Sequence, residues 1–316
     1  MKLLYSFLQP KDRAHHSPGT FVPLEKELVF DLDMSDYNPI RKCCTGVDVC
    51  SSCWFLMSVA IEVIDDTLRR DFGFKHLLWV YSGRRGVHCW VTDTRARCLD
   101  FNARCAIAHY INVFQRDGIA NLSAPLHPSL RAAYEDVLLP SFEQSVIPGM
   151  RILKEKDSRM NVLQLIKHAP TALAIEKAWD TEESSCAQKW ATLKALVNAA
   201  ILKREIRNRN PIWDIVFTYC YPRLDMPVTT DLTHLLKAPF CAHPSTGKIC
   251  VPIDPLHCRE FNPLTVPTIY SLMGDIDRFD ETHGRLCALS DWKKTTLRDH
   301  IIAFKSMAPP PFVPLF

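Results

Sequence analysis

Asp31 and Asp33 stand either side of one leucine at the end of an apolar run, ELVFDLDMSDYN from Glu27. Leu28, Val29 and Phe30 have the character of a strand entering a core. Strand side chains alternate faces, so the two carboxylates point the same way, roughly 7 Å apart along the strand. Two like charges on one face of a buried strand require a cation, a proton or a basic side chain between them.

Three further stretches carry residues able to supply that charge or to work beside it. In WVYSGRRGVHCWV, Ser82-Gly83 and Gly86 bracket Arg84 and Arg85 between two apolar runs, the arrangement of a tight hairpin. Two arginines at the tip, with His88 just inside, suit a phosphate clamp through bidentate donation. The same residues also read as a solvated basic turn. In YCYPRLDMPVTTDLTHLLKAPFCAHP, Asp225 is followed by Lys237 and His243. Alone, Asp225 is an acid after a turn. With Asp31 and Asp33 it completes the demand of a two-metal phosphoryl-transfer centre, in which ions about 3.5–4 Å apart stabilise attacking and leaving oxygens. Lysine, arginine and histidine then hold the triphosphate. On that reading the cation between Asp31 and Asp33 is a divalent metal.

The fourth stretch, RKCCTGVDVCSSCW, places Cys43, Cys44, Cys50 and Cys53 within one short loop. Four thiolates so close suit a tetrahedral, structural zinc site, which leaves no position open for substrate. Side chains of the adjacent Cys43 and Cys44 diverge, so one of them is replaceable by another ligand. Buried free thiols are the competing reading.

These residues need elements to position them. Strands are expected at ELVFDLD, LLWVYSG, VHCWVTD and GKICVPID, the last after a PSTG turn. A helix from about Cys53, capped by Ser51 or Ser52, has Trp54, Met57, Ile61, Ile64 and Leu68 at helical spacing. Further helices are expected over Arg97 to Gln115, SLRAAYEDVLLPSFEQ, SCAQKWATLKALVNAAILKREI, IWDIVFTYC and TLRDHIIAFKSM. Pro140 is expected to break or kink the second of these. No strand is expected between about Pro125 and Asn208. If Asp225 is to meet Asp31 and Asp33, that helical stretch must loop out as an insertion, leaving one α/β core built from both ends of the chain.

Composition sets the outer bounds. The 316 residues are 47% hydrophobic and 23% charged, as in an ordinary globular chain of one large or two smaller domains. No run approaches the roughly 20 apolar residues of a transmembrane helix. The opening MKLLYSFLQPKDR is too briefly apolar for a signal peptide, so the 13 cysteines are expected as thiols or metal ligands. A net charge of +3 neither demands nor excludes a nucleic-acid partner. APPPFVPLF is expected to be a terminal tail.

ELVFDLDMSDYN, the CC pair with VCSSCW, DFGFKHLLWVYSGRRGVHCW, YPRLDMPV, HLLKAPFCAHPSTGKICVPID, FNPLTVPT and DWKKTTL occur in one order. Together they closely resemble the catalytic small subunit of eukaryotic DNA primase, within the archaeo-eukaryotic primase superfamily, from about Lys26 to Leu297. The resemblance implies an α/β (α+β) fold: a primase-type mixed-sheet core with an inserted helical subdomain and a structural zinc motif. Mapped on this chain, the core comprises residues 1–124, with the zinc motif at 43–53, and 211–316; the helical insertion is 125–210. It implies Asp31, Asp33 and Asp225 as catalytic ligands of two Mg²⁺ or Mn²⁺ ions. It implies Ser82, Arg84, Arg85, His88, Lys237 and His243 as ligands of the incoming nucleotide. Cys43, Cys44, Cys50 and Cys53 take the role of Zn²⁺ ligands. The implied activity is synthesis of short RNA primers from ribonucleoside triphosphates on single-stranded DNA, in the nucleus. The implied partners are an iron–sulfur large subunit, docked near the zinc site, and the replicative DNA polymerase alpha complex. Family members carry several dozen residues upstream of the point matched by LLYSFLQP, including an RYQSF-like strand whose arginine reaches the active site. The acidic insertion often found before KKT is short here.

A primase-polymerase used in damage bypass shares the core; the zinc motif after the paired aspartates favours the replicative subunit. A zinc-stabilised binding module would not need intact carboxylates. A general single-strand binder is disfavoured because Asp31 and Asp33 repel a phosphate backbone.

Overall fold

The hairpin expected around Ser82–Arg85 forms the middle of the sheet. The computed structural model describes residues 4–5, 23–44, 46, 48–180, 184–284 and 289–307. The opening MKL, most of the following segment and the APPPFVPLF tail lie outside them. Short strands β1 (Leu4–Tyr5) and β2 (Pro23–Glu25) pair with each other. The main sheet has four strands: β3 (Leu28–Asp33), β4 (Leu77–Tyr81), β5 (Gly86–Val91) and β6 (Pro252–Ile253). Their order is β3-β5-β4-β6, and each pairing is antiparallel. The expected GKICVPID strand is thus only partly regular. Its final residues form β6, while Ile249 and Lys248 make isolated bridges to Ala242 and Thr268.

The chain divides into two compact units. The first comprises Met1–Asp33, Leu68–Tyr110 and Leu224–Phe316. Its core is one face of the sheet, where Val29, Leu78, Val80 and Trp90 pack with Val228, Cys250 and Phe304. Each supplies apolar area removed from water, at about 25 cal/mol per Å². Val228 belongs to the short helix Met226–Thr230, so burying it draws the preceding Asp225 to the sheet. The helix expected over Arg97 to Gln115 is shorter, Phe101–Ile111. Asp100 ends the preceding loop, its carboxylate accepting the Ala103 N–H at 2.8 Å. A side chain that bonds the first free N–H groups fixes where a helix starts.

Arg104 on that helix is fully buried. It donates to the carbonyls of Leu99 at 3.0 Å, Glu27 at 3.1 Å and Lys26 at 2.5 Å. Lys26 and Glu27 precede β3, so this guanidinium fastens the entry of the strand that carries Asp31 and Asp33. Burial pushes its pKa down to about 10, opposed by Glu27, which leaves it charged at neutral pH. Arg104→Met removes every donor while keeping most of the volume. The expected cost is roughly 3 kcal/mol in urea unfolding, because buried carbonyls lose their partners. An unchanged unfolding midpoint would contradict this role.

The second unit comprises Met34–Thr67 and Ile111–Arg223. Helix α1 (Ser51–Arg70) starts two residues earlier than expected. The Cys50 carbonyl accepts from Cys53 and Trp54, so the first turn closes on a cysteine rather than on a serine. Trp54, Met57, Ile61, Ile64 and Leu68 are all buried, as their spacing predicts. The helices Cys186–Leu202 and Pro211–Cys220 also fall where expected. Of the break or kink expected at Pro140, the break does not occur. Leu139 and Ser141 keep helical backbone angles, and the turns on either side, Ala133–Leu138 and Phe142–Val146, widen to π-helical geometry. A widened turn changes the hydrogen-bond register, which accommodates a residue that lacks the N–H.

Candidate active site and cysteine cluster

Two elements that are local in sequence build the acidic site. Strand β3 pairs with β5 so that Asp31 stands opposite His88, and Asp33 opposite Gly86. Asp31 and Asp33 are half-buried while Leu32 between them is buried, so the carboxylates share a face as the alternation requires. Each has a basic side chain from the hairpin. Arg85 Nε lies 2.6 Å from an Asp33 carboxylate oxygen. His88 Nε2 lies 3.6 Å from Asp31. The charge balancing Asp33 is therefore a guanidinium from the hairpin tip.

The tip is held tightly. The Ser82 N–H donates to the Gly86 carbonyl at 2.9 Å, and the Gly86 N–H donates to Ser82 Oγ at 2.9 Å. The Tyr81 hydroxyl donates to the Arg84 carbonyl at 2.8 Å. Gly86 must be glycine, because any Cβ there would run into the Leu32 carbonyl of β3. Ser82 thus serves the turn through its hydroxyl, which leaves the arginine side chains as its projecting donors.

Residues from the C-terminal part of the chain close the site. The Asp225 N–H donates to the Asp31 carbonyl at 3.1 Å, and the Asp225 side chain is exposed, with no capping bond to its own helix. Burial and the nearby Lys237 charge depress His88 to about 3, against the raising effects of a hydrogen bond with the Lys237 backbone and of Asp33. His88 is accordingly a neutral imidazole across the physiological range. His243 is buried, and its pKa is lowered by that burial, then by Lys237 and Arg84. Its Nδ1 accepts the Ser245 N–H at 3.2 Å, which assigns the proton of the neutral ring to Nε2 as a donor. Asp31, Asp33, Asp225, Ser82, Arg84, Arg85, His88, Lys237 and His243 therefore all lie in the first unit. Backbone pairing sets Asp225 beside Asp31 on the strand that also carries Asp33. Among the described residues, however, the convergent group of metal-ligating side chains is the cysteine cluster, not these acids.

In the second unit, Cys43, Cys44, Cys50 and Cys53 bring their sulfurs within 4.8 Å of one another. Tetrahedral thiolates at a metal–sulfur distance of about 2.3 Å lie about 3.8 Å apart. Cys50 and Cys53, at 3.9 Å, already match. The adjacent Cys43 and Cys44 both reach the cluster, and the donor set can hold a metal ion. Burial opposes ionisation of Cys50, but hydrogen bonds from Cys44, from the Cys53 backbone and from Cys43 outweigh it and bring it down to about 7. Cys44 is pushed up to about 11, by burial first. A bound cation would draw off the remaining thiol protons of the cluster.

Arg41 escapes notice in the sequence, yet it organises this loop. It is buried, and its guanidinium donates to the carbonyls of Asp48 at 2.6 Å and Gly46 at 2.7 Å, to Asn38 Oδ1, and to Cys53 Sγ at 3.6 Å. The signal lay within RKCC, but a basic residue beside cysteines gives no hint that it points inward. Arg104 is silent in the sequence for the same reason. A charged residue inside an apolar helix declares itself only through the carbonyls it meets.

A neutral imidazole donor and cationic side chains around an acidic pair can hold a polyphosphate together with divalent cations. Comparison with known proteins gives the family. A family model described as DNA primase small subunit matches residues 30–255. The DNA primase small subunit of Schizosaccharomyces pombe is 40% identical over 87% of this chain and 63% of its own length. That of Drosophila melanogaster is 35% identical over 94% of this chain and 73% of its own. The archaeal DNA primase small subunit of Thermococcus kodakarensis is 27% identical over 76% of this chain and 67% of its own. The chain belongs to the DNA primase small subunit family. It spans somewhat under two thirds of the length of the Schizosaccharomyces pombe relative. No described helix is long and apolar enough to cross a membrane.

Proposed function

We propose that this chain is the catalytic subunit of a primase, which makes short RNA primers from ribonucleoside triphosphates on a single-stranded DNA template. The observation that carries this reading is the register of β3 against the hairpin. It sets Asp31 and Asp33 on one face, opposite His88 and beside Arg85, with Asp225 bonded to the Asp31 backbone. Asp31, Asp33 and Asp225 are the proposed holders of two Mg²⁺ or Mn²⁺ ions. When bound, such ions lower the pKa of the attacking 3′-hydroxyl and stabilise the pyrophosphate leaving group. Arg84, Arg85 and Lys237 bind and orient the triphosphate, and neutralise charge that builds on it during transfer. Nε2 of His243 donates to a phosphate oxygen without adding charge. His88 stays neutral and holds its place against Asp31. Ser82 shapes the tip that presents the arginines.

The ion proposed for the cysteine cluster is structural Zn²⁺, since four sulfur donors in a closed set leave no room for substrate. The catalytic core is proposed to be assembled from both ends of the chain around a helical insertion at 125–210. The proposed setting is the nucleus. The proposed partners are an iron–sulfur large subunit and the replicative DNA polymerase alpha complex.

Arg85 has two suitors, Asp33 and a triphosphate. Arg85→Ala is expected to raise the apparent KM for ribonucleotides by about tenfold or more, in line with loss of a charge-assisted contact. Initial rates against nucleotide concentration measure this, and an unchanged KM removes Arg85 from the clamp. The test of the function is primer synthesis on single-stranded DNA with ribonucleotides and Mn²⁺. Short RNA products are expected. A folded, metal-loaded chain that makes none, alone or with the large subunit added, would count against the reading.

A further inference from the structure

The clamp proposed above has two arms of separate origin, and the structure shows what joins them. One arm is the hairpin tip Ser82–Gly86, which carries Arg84 and Arg85. The other is the turn from His243 to Gly247, closed by the Gly247 N–H on the His243 carbonyl at 2.8 Å. The Thr246 hydroxyl donates across the gap to the Gly83 carbonyl at 2.7 Å. Thr246 Oγ1 in turn accepts the Lys248 N–H at 3.2 Å, which fixes the direction of the hydroxyl. Gly83 has φ +85°, and a Cβ placed there would stand 2.6 Å from His243 Cβ. The backbone at the base of the arginines thus rests directly on the histidine, a closeness that only glycine permits.

We propose that Thr246 and Gly83 form a latch that sets the spacing of the two arms, making Thr246 a positioning residue for the nucleotide. This rests on the reading of Arg84, Arg85 and His243 as nucleotide ligands. Thr246 touches no reacting group. It acts by holding the arginine-bearing tip at the distance from His243 at which both reach one triphosphate. Misplacing either arm by a fraction of an ångström weakens contacts that depend on geometry. A merely structural hydroxyl would affect stability and leave nucleotide affinity alone.

The test compares the full chain with Thr246→Val, Thr246→Ser and Arg85→Ala. Nucleotide binding is read by titration with ATP and Mn²⁺, and synthesis by KM and kcat on a single-stranded template. Thr246→Val keeps the shape but loses the hydroxyl. It is expected to weaken binding and raise KM about five- to tenfold, the worth of a well-made hydrogen bond, with kcat within about twofold. Thr246→Ser keeps the hydroxyl and is expected to restore both. Gly83→Ala is expected to raise KM further if it folds. Parental affinity in Thr246→Val overturns the latch while leaving the clamp intact. So does weaker binding that serine fails to restore, or a fall confined to kcat. If Arg85→Ala binds ATP as the parent does, the clamp reading itself fails and the latch goes with it. Because binding is read apart from synthesis, a chain that binds nucleotide but makes no primer still decides the matter.

Discussion

Asp31→Ala or Asp33→Ala is expected to abolish primer synthesis, lowering the rate by about a thousandfold or more, with the fold intact. The size follows from what the carboxylates are proposed to hold. Divalent ions at a phosphoryl-transfer centre supply several kcal/mol of charge stabilisation, and each factor of ten in rate is about 1.4 kcal/mol. The fold survives because both side chains are half-buried at the end of β3 and contribute nothing to the apolar core. A stability change within about 1 kcal/mol is expected for each. The two variants differ in one informative way. Asp33→Ala leaves Arg85 without its 2.6 Å partner, so nucleotide binding without synthesis should persist or tighten. Asp31→Ala leaves the neutral His88, which loses little. Residual synthesis within about tenfold of the parent would sink the assignment of metal to this pair. Melting curves on the same samples separate loss of chemistry from loss of fold.

Cys53→Ser is expected to remove one equivalent of bound metal and to destabilise the second unit by about 4 kcal/mol or more, because a lost metal site is among the few single changes of that size. Cys53 is fully buried at the start of α1. Its sulfur lies 3.6 Å from Arg41, which ties the same loop to three other groups. A serine hydroxyl does not ionise near neutral pH and cannot replace a thiolate ligand. Without the cation, the loop of Cys53→Ser would hold three thiols and a hydroxyl around a buried guanidinium, and the N-terminal turn of α1 would lose its anchor. Metal content by elemental analysis and thermal melting check this together. A strong chelator added to the parent should reproduce the loss. Cys89→Ser, a buried cysteine in β5, should leave the metal content unchanged. A parent that carries no metal after purification and takes up none when Zn²⁺ is added would return the cluster to a set of buried free thiols.

The sequence by itself determined whatever depends on short-range pattern. Period-two alternation put Asp31 and Asp33 on one face before any partner strand was known. Glycines around SGRRG dictated a hairpin, and the hairpin then dictated that Arg85 and His88 sit next to the strand it pairs with. Helical spacing in α1 and the closeness of four cysteines were legible for the same reason: backbone hydrogen bonds and side-chain periods act over a few residues. The order of several motifs along the chain carried the family.

Tertiary structure decided the rest. That Arg85 neutralises Asp33 depends on a rotamer chosen between competing anions. That Asp225 bonds to Asp31 follows from burying Val228 against the sheet, a contact between the two ends of the chain. The inward turn of Arg104 follows from carbonyls of a segment far along the chain, and that of Arg41 from the way its own loop folds back over it. The Thr246 bond to Gly83 depends on a backbone that only glycine adopts, meeting a turn far along the chain. Pro140 passes through its helix with the neighbouring turns widened to π-helical geometry, a change of register that the proline by itself does not announce. Local sequence fixes which groups a segment can offer. Which of them meet is set by how the apolar faces close, since that burial is the largest favourable term and acts without regard to separation along the chain.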